Sequence, residues 1–207
     1  MLKKRILSLI TLVLSLSLLT GCGSTTPTIP ELNKEPGATS TTQTTYPLTL
    51  KDDSGASVTL AAQPKRIVSL VPSATENLCA LGLEGNVVAV TKWDNYPKDI
   101  QKNVEYIFAD SLYPNAEQIL KLNPDLIILG KMGKDDNKSN DAIRELKIPV
   151  VVVNPQSLEA TYHSIENFGR LTNTSEQANK IVSGMKEKEQ AIAKKVETIK
   201  DSDRLKV

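Results

Sequence analysis

The sequence is poor in the residues from which reactive and metal centres are usually built: 207 residues contain one histidine, His163, one tryptophan, Trp93, and two cysteines, Cys22 and Cys79. A receptor for bare zinc or manganese needs a cluster of imidazoles and carboxylates, and one histidine on a helical stretch with mixed neighbours does not supply it. Two cysteines are too few for a disulfide framework. There is no G-x-S-x-G elbow, no paired His and Ser and no glycine-rich phosphate loop, so the pattern argues against an enzyme. Neither sign of charge dominates, with 25 Lys and Arg against 24 Asp and Glu, and nothing here is built to hold nucleic acid.

What is present begins at the first residues. Lys3, Lys4 and Arg5 precede a nearly unbroken apolar run from Ile6 to Leu19, the charged and apolar regions of an export signal. The run is short for a bilayer span. It ends at Leu19-Thr20-Gly21-Cys22, which resembles the bacterial lipobox, so residues 1–21 are expected to be a lipoprotein signal peptide and Cys22 the lipidated first mature residue. Several acyl chains on one residue anchor a protein stably, which predicts an extracytoplasmic, membrane-tethered protein. Loss of the three signal cations leaves 22 basic against 24 acidic residues, a net charge of −2. With Cys22 acylated, Cys79 is left alone and reads as a small buried apolar side chain rather than a reactive thiol. Residues 22–45 are rich in Ser, Thr, Pro and Gly and read as a flexible linker.

The globular part starts near Tyr46. Leu48 to Leu50 and Val58 to Leu60, around Asp52-Asp53-Ser54-Gly55, predict a small hairpin. Four β-branched or apolar runs follow: Ile67–Leu70, Val87–Val90, Leu126–Leu129 and Val150–Val153. Continuous apolar strands separated by helix-patterned sequence indicate an α/β fold whose parallel sheet is covered on both faces. Ser73 to Glu76 and Thr174 to Gln177 have capping-box spacing, Asn115 opens a short helix, and Gly82 closes the first helix. A further helix is expected from about Asn140 to Leu146. Between Leu158 and Lys200 there is no proline and only Gly169 and Gly184 interrupt a helix-forming composition. This predicts a helical region over 158–200 with one helix of roughly 25 residues starting at Thr174. Its apolar stripe, Ile181, Met185, Ile192, Val196 and Ile199, is too irregular for sustained heptads, so a bracing helix is favoured over a coiled coil.

Four segments in this order, Arg66 to Glu76 (RIVSLVPSATE), Trp93 to Pro97 (WDNYP), Asn115 to Leu120 (NAEQIL) and Pro124 to Leu129 (PDLIIL), resemble the cobalamin and iron-siderophore solute-binding proteins of ABC importers. That resemblance implies two α/β lobes bridged by one long helix, with the ligand in the cleft between them and no cofactor. It assigns residues 46–157 to the N-terminal lobe and 158–200 to the region of the bridging helix. Residues 201–207 then look like the start of a second lobe that this chain lacks. The implied partners are a small-molecule ligand, the ABC permease membrane subunits and, through the anchor, the membrane.

The resemblance also suggests roles for particular residues. The position of Trp93 corresponds to an aromatic that lines the cleft in cobalamin-binding members, which suits a flat macrocycle; ordinary core packing is the competing role. Ser73 opens a helix at the carboxyl edge of the sheet, where it can cap its helix, touch ligand or do both. Tyr113 is a candidate second aromatic wall, and it is also the residue best placed in this half to ligate heme iron. Tyr96 is expected to hold its loop. Lys131 and Lys134 either meet an anionic chelate or are solvated. Glu117 corresponds to a glutamate on the outer tip of the lobe that docks arginines of the importer; alternatively it complements its own helix dipole. Cobalamin or another corrinoid is the leading ligand because the cleft loops are short of cations, with siderophore or heme as the alternative. A surface lipoprotein with no transport role is the remaining reading.

Overall fold

The computed structural model describes residues 43–109, 114–131, 142–200 and 204. The expected signal peptide, Cys22, most of the linker, Tyr113 and Lys134 lie outside the described residues, as does all of 201–207 except Arg204. The first elements are strands β1 (Leu48–Lys51) and β2 (Ser57–Leu60), which pair antiparallel with Leu48 opposite Leu60. Leu50, Val58 and Leu60 point inward, giving the hairpin one buried face. Its turn uses Gly55 at φ +85°, a conformation that costs a residue with a side chain 1–2 kcal/mol or so.

Among the described residues the main sheet has five strands: β3 (Ile67–Ser69), β4 (Val87–Thr91), β5 (Tyr106–Phe108), β6 (Leu126–Gly130) and β7 (Val150–Val153). They are all parallel, in the order β5-β4-β3-β6-β7. The four apolar runs of the sequence are β3, β4, β6 and β7. The fifth strand went unread because it is three residues at the sheet edge, with Tyr106 and Ile107 more than a third exposed.

Side chains alternate between two cores. Ile67, Leu126, Ile128 and Val151 face α1 (Pro72–Ala80), α3 (Leu158–Leu171) and α4 (Ser175–Glu197), meeting Leu78, Phe168 and Val182. Val68, Ile127, Leu129 and Val152 face the other way onto Phe108, Ile143 and Ile119 of α2 (Ala116–Lys121). Each fully buried Leu, Ile or Phe contributes about 1.5–3 kcal/mol of apolar transfer. Of the helix expected over 140–146, residues 142–144 are helical and 132–141 lie outside the described residues.

Two capping boxes are not made. In α1 the N-cap is Val71 and Pro72 takes the first helical position, where its fixed φ and missing N–H cost nothing. Ser73 is therefore inside the helix and makes no cap. Thr174 is the N-cap of α4 as expected, but its hydroxyl bonds the Thr172 hydroxyl at 2.9 Å instead of the helix amides. The predicted cap at Asn115 forms, its side chain accepting from the Gln118 amide at 3.0 Å. Helix α3 is capped by Ser157, which accepts from the Ala160 amide at 3.1 Å. Ile181 and Met185 of α4 pack on the core, whereas Ile192 and Val196, and Ile199 just past the helix end, are exposed.

Candidate functional site at the carboxyl edge of the sheet

In a parallel sheet every strand ends at the same edge. The connections leaving it line a crevice, deepest where successive crossovers turn to opposite faces. Here that switch lies between β3, whose chain enters α1 on one face, and β6, whose chain leaves towards Ile143 on the other. Gly130 ends β6 there, and a Cβ on it would sit 3.1 Å from Val71 Cγ2, so the small residue lets the two turns approach. Behind Val71, the Thr75 hydroxyl donates to Ser69 Oγ at 2.8 Å, and both residues are fully buried. Ser73 is exposed at the start of α1, on the turn that follows β3.

The adjacent strand, β4, delivers Trp93. Its residue exposure is 62%, so it is not a core residue. An indole in water cannot be fixed by packing, and here the backbone turn beneath it is fixed by polar groups. Asp94, 1% exposed, turns its carboxylate back so that Oδ2 accepts from the Thr91 amide at 2.9 Å and the Thr91 hydroxyl at 2.5 Å. Thr91 Oγ1 in turn accepts from the Trp93 amide at 3.2 Å. The Lys92 amide donates to the Phe108 carbonyl at 2.9 Å and the Asp94 amide to the Thr91 carbonyl at 3.2 Å. Gln101 Nε2 reaches the carbonyls of Asp94 at 2.7 Å and Lys92 at 3.1 Å. The Lys92 ammonium lies 4.8 Å from the Trp93 ring centroid, a cation–π contact over one ring face.

The structure thus brings Ser73 and Trp93 to the same edge, just beyond the ends of the neighbouring strands β3 and β4. Tyr113 and Lys134 are not among the described residues. Tyr96 is 64% exposed, and Lys131 is an exposed residue whose amide donates to the Val153 carbonyl at 3.1 Å. Glu117 sits exposed in the first turn of α2, on the face of the sheet away from α1. Sequence reading missed Thr91, Lys92, Asp94 and Gln101. The Asp three residues after Thr91 was the available signal, since such spacing allows a side chain to close a turn onto the backbone.

Among the described residues, the other chemistry-bearing groups do not gather into a second centre at this edge. Cys79 packs beside the core, and burial, followed by the nearby charges of Glu84, Asp94 and Glu76, pushes its thiol up to about 11. It is a protonated, inert thiol at neutral pH. Among the described residues no group of three or more His, Cys, Asp and Glu side chains can hold a metal ion. A solvent-open groove of about 350 Å³ lies between α3 and α4, lined by Tyr162, His163, Glu166, Lys186 and Glu189 among others. The hydrogen bond from its hydroxyl to Glu189, with burial, raises the Tyr162 pKa. This groove is on the helical layer, away from the strand ends.

Comparison with known proteins places this geometry. A sequence model of the periplasmic binding protein family matches residues 67–205. The chain is 37% identical over 198 residues to the uncharacterized ABC transporter substrate-binding lipoprotein YvrC of Bacillus subtilis, covering 93% of this chain and 60% of that protein. It is 32% identical over 123 residues to a vitamin B12-binding protein of Yersinia pestis, covering 59% of this chain and 43% of that one. The crystal structure of a possible iron-binding (periplasmic solute-binding) protein from Staphylococcus epidermidis superposes with a TM-score of 0.60 at 32% identity, over 68% of this chain and 54% of that one. The chain therefore spans only about 40–60% of the length of these proteins.

Proposed function

The chain belongs to the periplasmic binding protein family, and on that premise we propose that it is the solute-capturing component of an ABC importer, tethered outside the cytoplasm and taking up cobalamin or another corrinoid. The observation that carries this reading is Trp93: the one indole of the sequence, 62% exposed, on a hydrogen-bonded turn at the carboxyl edge of the sheet. A flat macrocycle offers a wide apolar face, and an aromatic held at a crevice mouth matches it. The likeness to a vitamin B12-binding protein supports the same ligand class. Ser73, on the adjacent turn, is proposed as a polar contact, and Tyr113 as a second wall. Glu117, exposed on α2, is proposed to dock the permease subunits. The anchor at Cys22 is supported by the lipobox-like sequence and by the lipoprotein name of the Bacillus relative.

A second ligand class has its own support. Lys92 over the indole and the exposed Lys131 place two cations at this edge, which suits an anionic iron chelate. Titration of the protein with cyanocobalamin, heme and a ferric siderophore, read through Trp93 emission in the wild type and by calorimetry in the wild type and Trp93→Ala, separates the ligands. Cyanocobalamin is expected to quench the indole, and Trp93→Ala is expected to cost about 1–3 kcal/mol of corrinoid affinity. Unchanged affinity in Trp93→Ala removes the indole from the site. Tighter binding of the ferric chelate than of the corrinoid moves the assignment to iron.

A further inference from the structure

We propose that Thr91, Asp94 and Gln101 are positioning residues that hold the Trp93 indole at one orientation before any ligand arrives; this rests on the reading of Trp93 as a ligand wall. Every backbone amide from Thr91 to Asp94 has a partner: Asp94 Oδ2, the Phe108 carbonyl, Thr91 Oγ1 and the Thr91 carbonyl in turn. The carbonyls of Lys92 and Asp94 are held by the Gln101 amide group. Gln101 is itself seated by Ile100, its neighbour in the same short turn, which is 1% exposed. Thr91 Oγ1 is the pivot, since it donates to Asp94 and accepts from Trp93 in one buried position.

Such a set of bonds is more than a turn needs in order to form. Turns at protein surfaces usually leave several amides and carbonyls to water, and their side chains sample rotamers freely. Here a turn that supports a largely exposed side chain is tied to β5 through Phe108 and to the 100–102 segment through Gln101, and its bonding carboxylate is buried. Lys92, over one face of the ring, limits the indole further and leaves the other face to a ligand. A rigid wall binds better than a mobile one because less freedom is lost on association.

Because Trp93 is the sole tryptophan, time-resolved fluorescence anisotropy of the ligand-free chain reads its motion directly. Gln101→Ala and Asp94→Ala are expected to raise the amplitude of the fast depolarisation relative to the wild type. Asp94→Asn is expected to restore it, since an amide oxygen still accepts from Thr91. Thr91→Val should loosen the indole and Thr91→Ser should not. If Asp94→Ala does not fold, the partly exposed Gln101 and the Thr91 pair still carry the test. Folded Gln101→Ala and Thr91→Val proteins with wild-type anisotropy overturn the proposal, as does an Asp94→Asn protein as mobile as a folded Asp94→Ala. Cyanocobalamin titration of the same proteins tests the underlying reading separately. A corrinoid that binds with loosened variants roughly 3- to 10-fold weakened supports pre-organisation. Failure of cyanocobalamin to change Trp93 emission sinks the ligand reading and leaves the anisotropy result to decide the positioning roles.

Discussion

Replacing Asp52 is expected to loosen the hairpin and the free edge of the sheet together. The Asp52 side chain is 0% exposed, and Oδ1 accepts from the amides of Ser54 at 2.9 Å and Ala56 at 3.0 Å and from the Ser54 hydroxyl at 2.5 Å. Oδ2 accepts from the Val152 amide at 3.1 Å and pairs with Arg144 at 3.2 Å. Beside it, Asp53 accepts from the Asn154 amide at 2.5 Å and donates its own amide to the Val152 carbonyl at 3.0 Å. Among the described residues strand β7 has a strand partner on one side only, and these aspartates satisfy outer amides that a further strand would otherwise take. In Asp52→Ala the buried Val152 amide loses its acceptor, a loss of about 1–3 kcal/mol. The turn amides add about 1 kcal/mol, while the partly exposed Arg144 regains water and adds little. A total of about 2–4 kcal/mol is a large share of the ~5–15 kcal/mol by which a domain is stable. Burial raises the Asp52 pKa, but the hydrogen bonds from Ser54, Val152, Ala56 and Arg144 outweigh it and hold the carboxyl below its ordinary 3.8. A depressed pKa contributes stability that is complete above the ordinary value and is lost as pH falls below it towards the folded value. Urea unfolding followed by circular dichroism at pH 7 and between pH 5 and 2, on the ordinary carboxylate scale, is the assay. The reasoning is refuted if Asp52→Ala unfolds within about 0.5 kcal/mol of the wild type at pH 7, the scatter of an ordinary surface change. An acid limb as steep in the variant as in the wild type refutes the pKa part.

The two glycines of the helical region should respond oppositely to alanine. At Gly169 a Cβ would fall 2.5 Å from Ala178 Cβ and 3.1 Å from Ser175 Cα, so α3 and α4 must part, at a cost of about 1–3 kcal/mol. At Gly184 nothing lies within 4 Å, and alanine should stabilise α4 by about 0.5–1 kcal/mol; thermal melts that rank the two the other way contradict the packing described. Cys22→Ala is expected to release the protein from membranes, checked by fractionation and mass spectrometry of the mature N-terminus, and an unlipidated wild type ends that proposal. Glu117→Ala is expected to reduce uptake through the importer with ligand affinity unchanged; a loss in affinity instead moves Glu117 away from docking.

The architecture was legible because its strands are buried on both faces. Ile67, Leu126 and Val150 begin runs of apolar residues bounded by Arg, Pro and Asp, and such runs have few other places to go. Strand β5 escaped because an edge strand needs no inward partner for every residue, and Tyr-Ile-Phe has no period to read. The α1 start was misplaced for a local reason: serine at cap spacing competes with a proline one residue earlier, and the proline decides the first turn. The position of Trp93 followed from resemblance, whereas its exposure came only from the fold. Asp94 and Gln101 were invisible as functional residues because their bonds are to backbone atoms, whose direction depends on where β4 ends. The residue pattern alone does not fix that end.

The buried polar residues follow a common logic. Ser69, Thr75, Thr91 and Asp94 are all at or below 1% exposure, and all of them lie where β3 and β4 reach the carboxyl edge. An apolar residue at any of these places would spare the desolvation of a hydroxyl or carboxylate, so their burial lowers stability unless the bonds are made. They are made by Thr75 to Ser69 and by Thr91, through both its amide and its hydroxyl, to one oxygen of Asp94. The compensation at Asp94 runs through Oδ2 alone, since its buried Oδ1 has no hydrogen-bond partner among the described residues. The adjoining strand bodies are held by their backbone ladders and by apolar packing, Val68, Val88, Ala89 and Val90 being buried. Buried polar side chains thus brace the turns that follow β3 and β4, as Asp52 braces the hairpin and Thr172 the turn between α3 and α4. At the ends of β3 and β4 the same bonds would, under the proposed function, also keep a ligand-facing edge in shape while it faces water.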